Sequence, residues 1–210
     1  MSRPLTPNDT RATERLEGDE IHIWWIPHAR EEGRAPLLAI LGRYLGVAGG
    51  DIILEIGAHG RPTLPPAQDP TLDFNWSHSA SHAVVAIGRR VSLGVDVERR
   101  HDRANAMALA TRYFAESETA LLATLSGAAR SAAFLDLWTA KEAVLKATGR
   151  GLAFGLDQLT IDCMPSRLSL RRLGDDNVAD WQLQRLSLHS DYVAALAWRG
   201  SPRQIRLRSF

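Results

Sequence analysis

The chain has 210 residues, of which 45% are hydrophobic and 23% charged, and its formal net charge is +1. Such a length and composition suit one large globular domain or two small ones. The near balance of charge argues against a strong pull toward nucleic acid or a membrane surface, and no apolar run reaches the ~20 residues that a membrane span needs.

Residues 1–18 are polar, with charges of both signs and no apolar run. They read as a mobile tail and not as a signal peptide. Residues 21–26, with two tryptophans, read as a strand ending at Pro27. Across 35–45, Leu37, Leu38, Leu41 and Leu45 recur at helical spacing. Gly49-Gly50 ends that helix, and 51–56 reads as a strand. The prolines at 62, 65, 66 and 70 argue against regular structure in the next loop. Strands are expected at 72–76, 83–87 and 93–98, then helices at 104–114, 116–125 and 131–148. Gly149 and Gly151 stop the last helix. Strands return at 159–161, 168–173, 181–188, 192–198 and 204–207. Cys163 is the only cysteine, which excludes an intrachain disulfide and suits a reducing, cytoplasmic setting. Strand–helix–strand patterns thus occur twice, in 19–92 and 93–210, and short loops between strands give an α+β class.

Two stretches put charge beside apolar residues. In Gly94-Val95-Asp96-Val97-Glu98, residues two apart share a face of a strand, so Asp96 and Glu98 project together while Val95 and Val97 enter a core. Two carboxylates so close repel unless a cation lies between them, and oxygen-only ligands suit Mg²⁺. A solvated acidic face paired with Arg99 and Arg100 is the plainer alternative. In the helix, Trp138, Glu142 and Lys146 are spaced i, i+4, i+8 along one stripe, and Lys141 points about 100° away from Glu142. A routine surface Glu–Lys pair is the alternative there.

Phe74-Asn75-Trp76-Ser77-His78-Ser79 closes a strand with small donors that could cradle a phosphate. The spacing of His78 and His82 is a poor zinc signal, since the segment is not helical and has no further ligand nearby. Ser77 lacks the small-residue elbow of a serine nucleophile. A Mg²⁺ nuclease fits poorly too: no lysine stands two residues after either strand acid.

Together these segments resemble the 4′-phosphopantetheinyl transferases of the larger, Sfp type. Gly60-Arg61-Pro62, the Phe74–Ser79 segment, the Gly94–Glu98 strand and the Trp138–Leu152 segment occur in the family's order. The resemblance covers about residues 19–200. It implies two similar α/β subdomains related by a pseudo-twofold, with the active site in the cleft between them. It implies a reaction that moves phosphopantetheine from coenzyme A to a serine of an acyl carrier protein or a peptidyl or aryl carrier domain. It also implies Asp96, Glu98 and Glu142 as Mg²⁺ ligands, with Glu142 and Lys146 catalytic. Lys146 faces the pyrophosphate, Ser77 and His78 contact coenzyme A phosphates, and Arg61 and Pro62 flank the adenine end. A monomer is expected, with no nucleic-acid or membrane partner. A relative that binds coenzyme A or a carrier without turnover is the alternative.

The chain departs from the family in one place. The family's basic helical segment after the first strand is reduced to a short link, 28–34, so Arg30, Arg34 or Arg43 is expected to replace its grip on the 3′-phosphate. Carrier domains being acidic, Arg99, Arg100, Arg103 and Arg112 are candidate docking charges.

Overall fold

The structure, a computed structural model, describes residues 13–57, 59–164 and 167–209. The first strand, β1 (Glu20–Pro27), is apolar on both faces because both are covered. Trp24 and Ile26 pack against α1 (Ala35–Leu45), while Ile21 and Ile23 point the other way, toward a second sheet. The expected strand over 51–56 shrinks to β2 (Glu55–Ile56), which pairs with β3 (Pro62–Thr63). Gly49–Asp51 forms a single 3₁₀ turn instead. Ile52 and Leu54 turn toward the core while Ile53 and Ile56 are exposed, but among the described residues no strand pairs with 51–54, so little holds this segment as a strand.

β4 (Leu72–Ser79) and β5 (His82–Arg89) form a hairpin, each longer than expected, and β6 (Leu93–Arg99) follows. The helical part comprises α2 (Ala106–Tyr113), α3 (Glu116–Ala123) and α4 (Gly127–Thr148). α4 begins four residues before the expected start, because its first turn is alanine-rich and carries no apolar period to read. α3 starts after Ala115, whose N–H donates to the Glu118 side chain at 3.0 Å. β7 (Leu159–Met164) pairs with β8 (Arg167–Leu173), and then come β9 (Trp181–Leu186), β10 (Tyr192–Arg199) and β11 (Gln204–Arg208).

These strands make a four-stranded sheet in the order β11-β1-β5-β4 and a three-stranded sheet in the order β6-β10-β9. α1 covers one face of the first sheet, and α4, with α2 and α3, covers one face of the second. The remaining faces pack on each other through Ile21, Ile23, Val84, Ala86, Val95, Val97, Leu196 and Trp198. The α+β class is as expected. The two halves differ in helix number and strand order, and β11, expected with the second half, pairs in parallel with β1 of the first. The expected tail, 1–18, lies outside the described residues up to position 12. From residue 13 the chain is seated: Leu16 is buried and Glu14 pairs with Arg43 at 2.8 Å. Among the described residues no helix is long and apolar enough to cross a membrane.

The edges of the two sheets, β4 and β6, meet without a backbone ladder. Alternate side chains of β4 make the rungs. The Leu93 N–H donates to Asp73 at 3.2 Å and the Val95 N–H to Asn75 at 3.0 Å. The Ser77 hydroxyl donates to Asp96 at 2.7 Å. Ser79 donates to Glu98 at 2.9 Å and accepts from the Arg99 N–H at 3.0 Å.

Candidate active site

The site begins with a glycine. On β6, Gly94 shares a face with Asp96 and Glu98, and α4 lies on that face. A Cβ at Gly94 would stand 2.2 Å from the Ala143 carbonyl oxygen and 2.4 Å from the Ala147 nitrogen. The missing side chain is therefore what lets α4 lie so close, and closeness brings Lys146 onto the strand. The Lys146 ammonium donates to Asp96 Oδ1 at 2.7 Å and to the Val95 carbonyl at 3.1 Å.

Asp96 is 6% exposed. Its Oδ1 is bonded by both Lys146 and Ser77, but its Oδ2 is buried with no protein partner. Glu142 lies one turn before Lys146 on the same stripe. Burial, the Asp96 carboxylate and, more weakly, Glu98 push the Glu142 carboxyl up to about 7, against the pull of Lys146. Asp96, Glu98 and Glu142 thus share one field. Among the described residues, however, no three carboxylate, imidazole or thiol groups converge at ion-binding distance. Glu98 is held by Ser79, and Asp96 by Ser77 and Lys146.

The neighbouring Lys141 belongs to a different structure. It is fully buried, pairs with Glu118 at 2.7 Å, and donates to the carbonyls of Leu156 and Leu159 at 2.8 and 2.6 Å. Glu118 also accepts from the Ile161 N–H at 2.8 Å. This buried pair bolts α4 to α3 and β7, one residue from Glu142. Trp138, on the expected stripe, stacks on Phe134 at a centroid distance of 5.7 Å.

A cavity of about 260 Å³ opens beside these groups, lined by Arg34, His59, Arg61, Pro62, Trp76, Glu142 and Lys146 among others. Arg61 forms its wall and is itself held. Its guanidinium bonds both Asp73 oxygens at 2.9 Å, the Phe74 carbonyl at 3.1 Å, and the carbonyl of Lys146. It joins β4 to the end of α4.

Ser77 and His78 part company. Alternation along β4 turns Ser77 toward Asp96 and His78 to the α1 side, where its ring lies 4.9 Å from that of His28 and 5.4 Å from that of Trp76. Burial, His28 and Lys146 hold the His78 imidazole below its usual value. His28 itself is buried, and its Nδ1 has no hydrogen-bond partner.

Of the three arginines expected to replace the missing basic segment, Arg34 lines the cavity. Arg43 is committed elsewhere, to Glu14 and to the face of Trp24 at 4.9 Å. Sequence reasoning gave Asn75 and Ser79 no role beyond the segment of small donors, and it missed His28 and the Lys141–Glu118 pair. Only the first two carried a usable signal, as alternate polar residues on a strand that must bury one face.

A family model described as the 4′-phosphopantetheinyl transferase superfamily matches residues 92–197. The 4′-phosphopantetheinyl transferase HetI of a Nostoc species is 30% identical over 230 residues, covering 94% of this chain and 93% of its own. The 4′-phosphopantetheinyl transferase psf-1 of Bacillus pumilus is 32% identical over 148 residues, or 70% of this chain and 61% of its own. The 4′-phosphopantetheinyl transferase Sfp of Bacillus subtilis is 26% identical over 123 residues, 59% and 53% of the two chains.

Proposed function

The chain belongs to the 4′-phosphopantetheinyl transferase superfamily, and from that premise we propose how its own residues do the work. It transfers phosphopantetheine from coenzyme A to a serine of a carrier protein or carrier domain, releasing adenosine 3′,5′-bisphosphate. The observation that carries the site assignment is Asp96: a buried carboxylate with one oxygen on Lys146 and the other without a partner.

An unpartnered buried carboxylate oxygen is costly. Beside two further carboxylates, it fits a hard divalent cation such as Mg²⁺, which favours carboxylate and phosphate oxygens together. Asp96, Glu98 and Glu142 would hold it. When bound, the ion neutralises charge on the phosphate oxygens.

The rest of the reaction falls to the chain. The nucleotide end of coenzyme A occupies the cavity, flanked by Arg61 and Pro62, with His78 and Arg34 toward the 3′-phosphate. Lys146, on the cavity wall beside Asp96, faces the pyrophosphate, and its ammonium stabilises the charge that builds on the leaving bisphosphate. Ser77 orients Asp96 through its hydroxyl, and that hydroxyl is the group offered to a coenzyme A phosphate. Glu142 receives the proton of the acceptor serine, directly or through water. We take the protein to act as a monomer in a reducing cytoplasm, without nucleic-acid or membrane partners. The two halves serve as subdomains around the cleft. All the groups named come from one chain.

Mass spectrometry tests the reading. An apo carrier incubated with coenzyme A, Mg²⁺ and this protein should gain the phosphopantetheine mass. No gain with any carrier, at saturating coenzyme A and with coenzyme A binding intact, would instead mark a relative that binds without turnover.

A further inference from the structure

Away from the cleft, the molecule buries a second polar network, where β11 joins β1. His22 of β1 is fully buried. Its Nδ1 lies 2.8 Å from the Tyr44 hydroxyl of α1, and its Nε2 lies 3.1 Å from Glu20. Tyr44 also accepts from the Trp24 indole N–H at 2.8 Å. The returning strand adds two arginines. Arg206 donates to Glu20 at 3.0 Å. The Arg208 guanidinium lies against the imidazole, with Nη2 3.2 Å from Nε2 and Nε 3.4 Å from Nδ1.

These partners select one protonation state. A carboxylate only accepts, so the Nε2–H of His22 donates to Glu20. A phenol has one proton, and Tyr44, already accepting from Trp24, gives it to Nδ1. The ring is therefore neutral, with its single lone pair in use. A second proton would turn Nδ1 into a donor facing two others, the Tyr44 hydroxyl and the Arg208 guanidinium. The surrounding charges do not invite that proton. Arg206, Arg208 and Arg43 stand against Glu20 and Glu14, and the two acids are already paired with Arg206 and Arg43 at 3.0 and 2.8 Å. From β5, the residue opposite His22 is the uncharged Ile87.

Little else holds β11. It pairs with β1 alone, and its Leu207 is 62% exposed. We propose that β11 is an acid-releasable clasp: neutral His22 keeps Arg206 and Arg208 docked on β1, and protonated His22 expels Arg208 and frees the strand. Burial holds the His22 imidazole below its usual value, with Glu20 opposing and Arg208 assisting. On release it returns to about 6.5. The clasp is thus at full strength above that pH and weakens as pH falls below it. The edge that opens lies across the sheet from β4, so the strands of the catalytic seam stay in place.

Hydrogen exchange of the full chain, read by mass spectrometry, tests the clasp. Corrected for the intrinsic rate, the open fraction over 204–208 should rise about tenfold between pH 7.5 and pH 5.5, as one proton taken up at about 6.5 on release implies. Peptides over 83–87 of β5, on the other side of β1, should show no such rise. His22→Gln keeps a donor and an acceptor but does not titrate, and it should flatten the dependence. Arg208→Gln removes the cation that faces the ring, and it should shrink the rise. An open fraction indifferent to pH in the wild type overturns the clasp. An equal rise in His22→Gln hands the effect to another group, and an equal rise over 83–87 makes it global unfolding; either result overturns it too. If His22→Gln does not fold, Arg208→Gln decides alone, and an undiminished rise in that variant sinks the proposal.

Discussion

At the scale of single residues, Asp96 is a carboxylate kept where folding alone would not put it. Its buried Oδ2 has no partner, so the native state bears a desolvation cost that only a ligand removes. Asp96→Asn, which keeps an acceptor for Ser77 and Lys146, should abolish carrier modification yet unfold near the wild-type temperature when coenzyme A and metal are absent. A clear drop in that temperature, read by circular dichroism, would make Asp96 a structural residue. Arg34 gives a second prediction. Its loss should raise the KM for coenzyme A roughly tenfold to a hundredfold, as a charge-assisted phosphate contact worth ~1.5–3 kcal/mol implies. Arg34→Ala should leave the KM for 3′-dephospho-coenzyme A unchanged, and Arg43→Ala should change neither KM. Equal penalties on both substrates would remove Arg34 from the 3′-phosphate. Much at this scale was legible. The period of a strand gave Asp96 and Glu98 one face. The same rule, applied to β4, would have separated Ser77 from His78. Lys141 was not legible, because a lysine followed by a glutamate in a helix looks solvated until Glu118 comes back from another helix to bury it.

At the scale of elements, the site is a matter of how closely α4 rests on β6. Gly94→Ala should cost about 1–3 kcal/mol, since its Cβ would meet backbone and not a yielding side-chain tip. Transfer should fall more than stability, because the displaced helix carries both Glu142 and Lys146. Gly50→Ala, where a Cβ meets nothing within 4 Å, is the neutral comparison, assayed by melting and turnover together. The hairpin that positions Ser77 has its own clamp. Burial opposes the ionisation of Asp69, but Arg89 at 2.7 Å and the bonds from Thr71 outweigh it and bring its pKa down to about 2. Asp69 therefore contributes stability above its ordinary value of 3.8, and that stability is lost as pH falls toward 2. The contribution is on the order of 2 kcal/mol. Wild type and Asp69→Asn should differ in melting temperature near pH 6 and converge near pH 2; a constant gap would rule out this linkage. Most helices and strands were readable from apolar periods. The start of α4 and the segment around Ile53 were not, since one lacks a period and the other, though Ile52 is buried, lacks a partner strand.

At the scale of the molecule, β11 leaves the second half of the chain and completes the first sheet. Arg206 bonds Glu20 at 3.0 Å, and Arg203 bonds the carbonyls of Gly18 and Arg89 at 2.7 and 3.0 Å. Truncation after residue 203 should uncover β1 along its length, lower the melting temperature, and promote association through the bared edge. Light scattering and calorimetry would read both effects, and a truncated protein as stable and as monodisperse as the full chain would contradict the tie. Nothing in residues 204–208 announces this return. A strand's composition says that it will pair, not with which sheet.

The rungs between β4 and β6 have a consequence for how such a protein changes over generations. A backbone ladder is the same whatever residues carry it, so mutation cannot easily retune it. A ladder of side chains is editable one rung at a time. Asp73, Asn75, Ser77 and Ser79 each set a separate stretch of the seam, and the last two grip the very carboxylates of the site. Whatever draws Asp96 or Glu98 toward a substrate must compete with Ser77 or Ser79 for it. Occupancy and the tightness of the seam are thereby coupled, and selection can adjust that coupling by single substitutions while both sheets stay as they are.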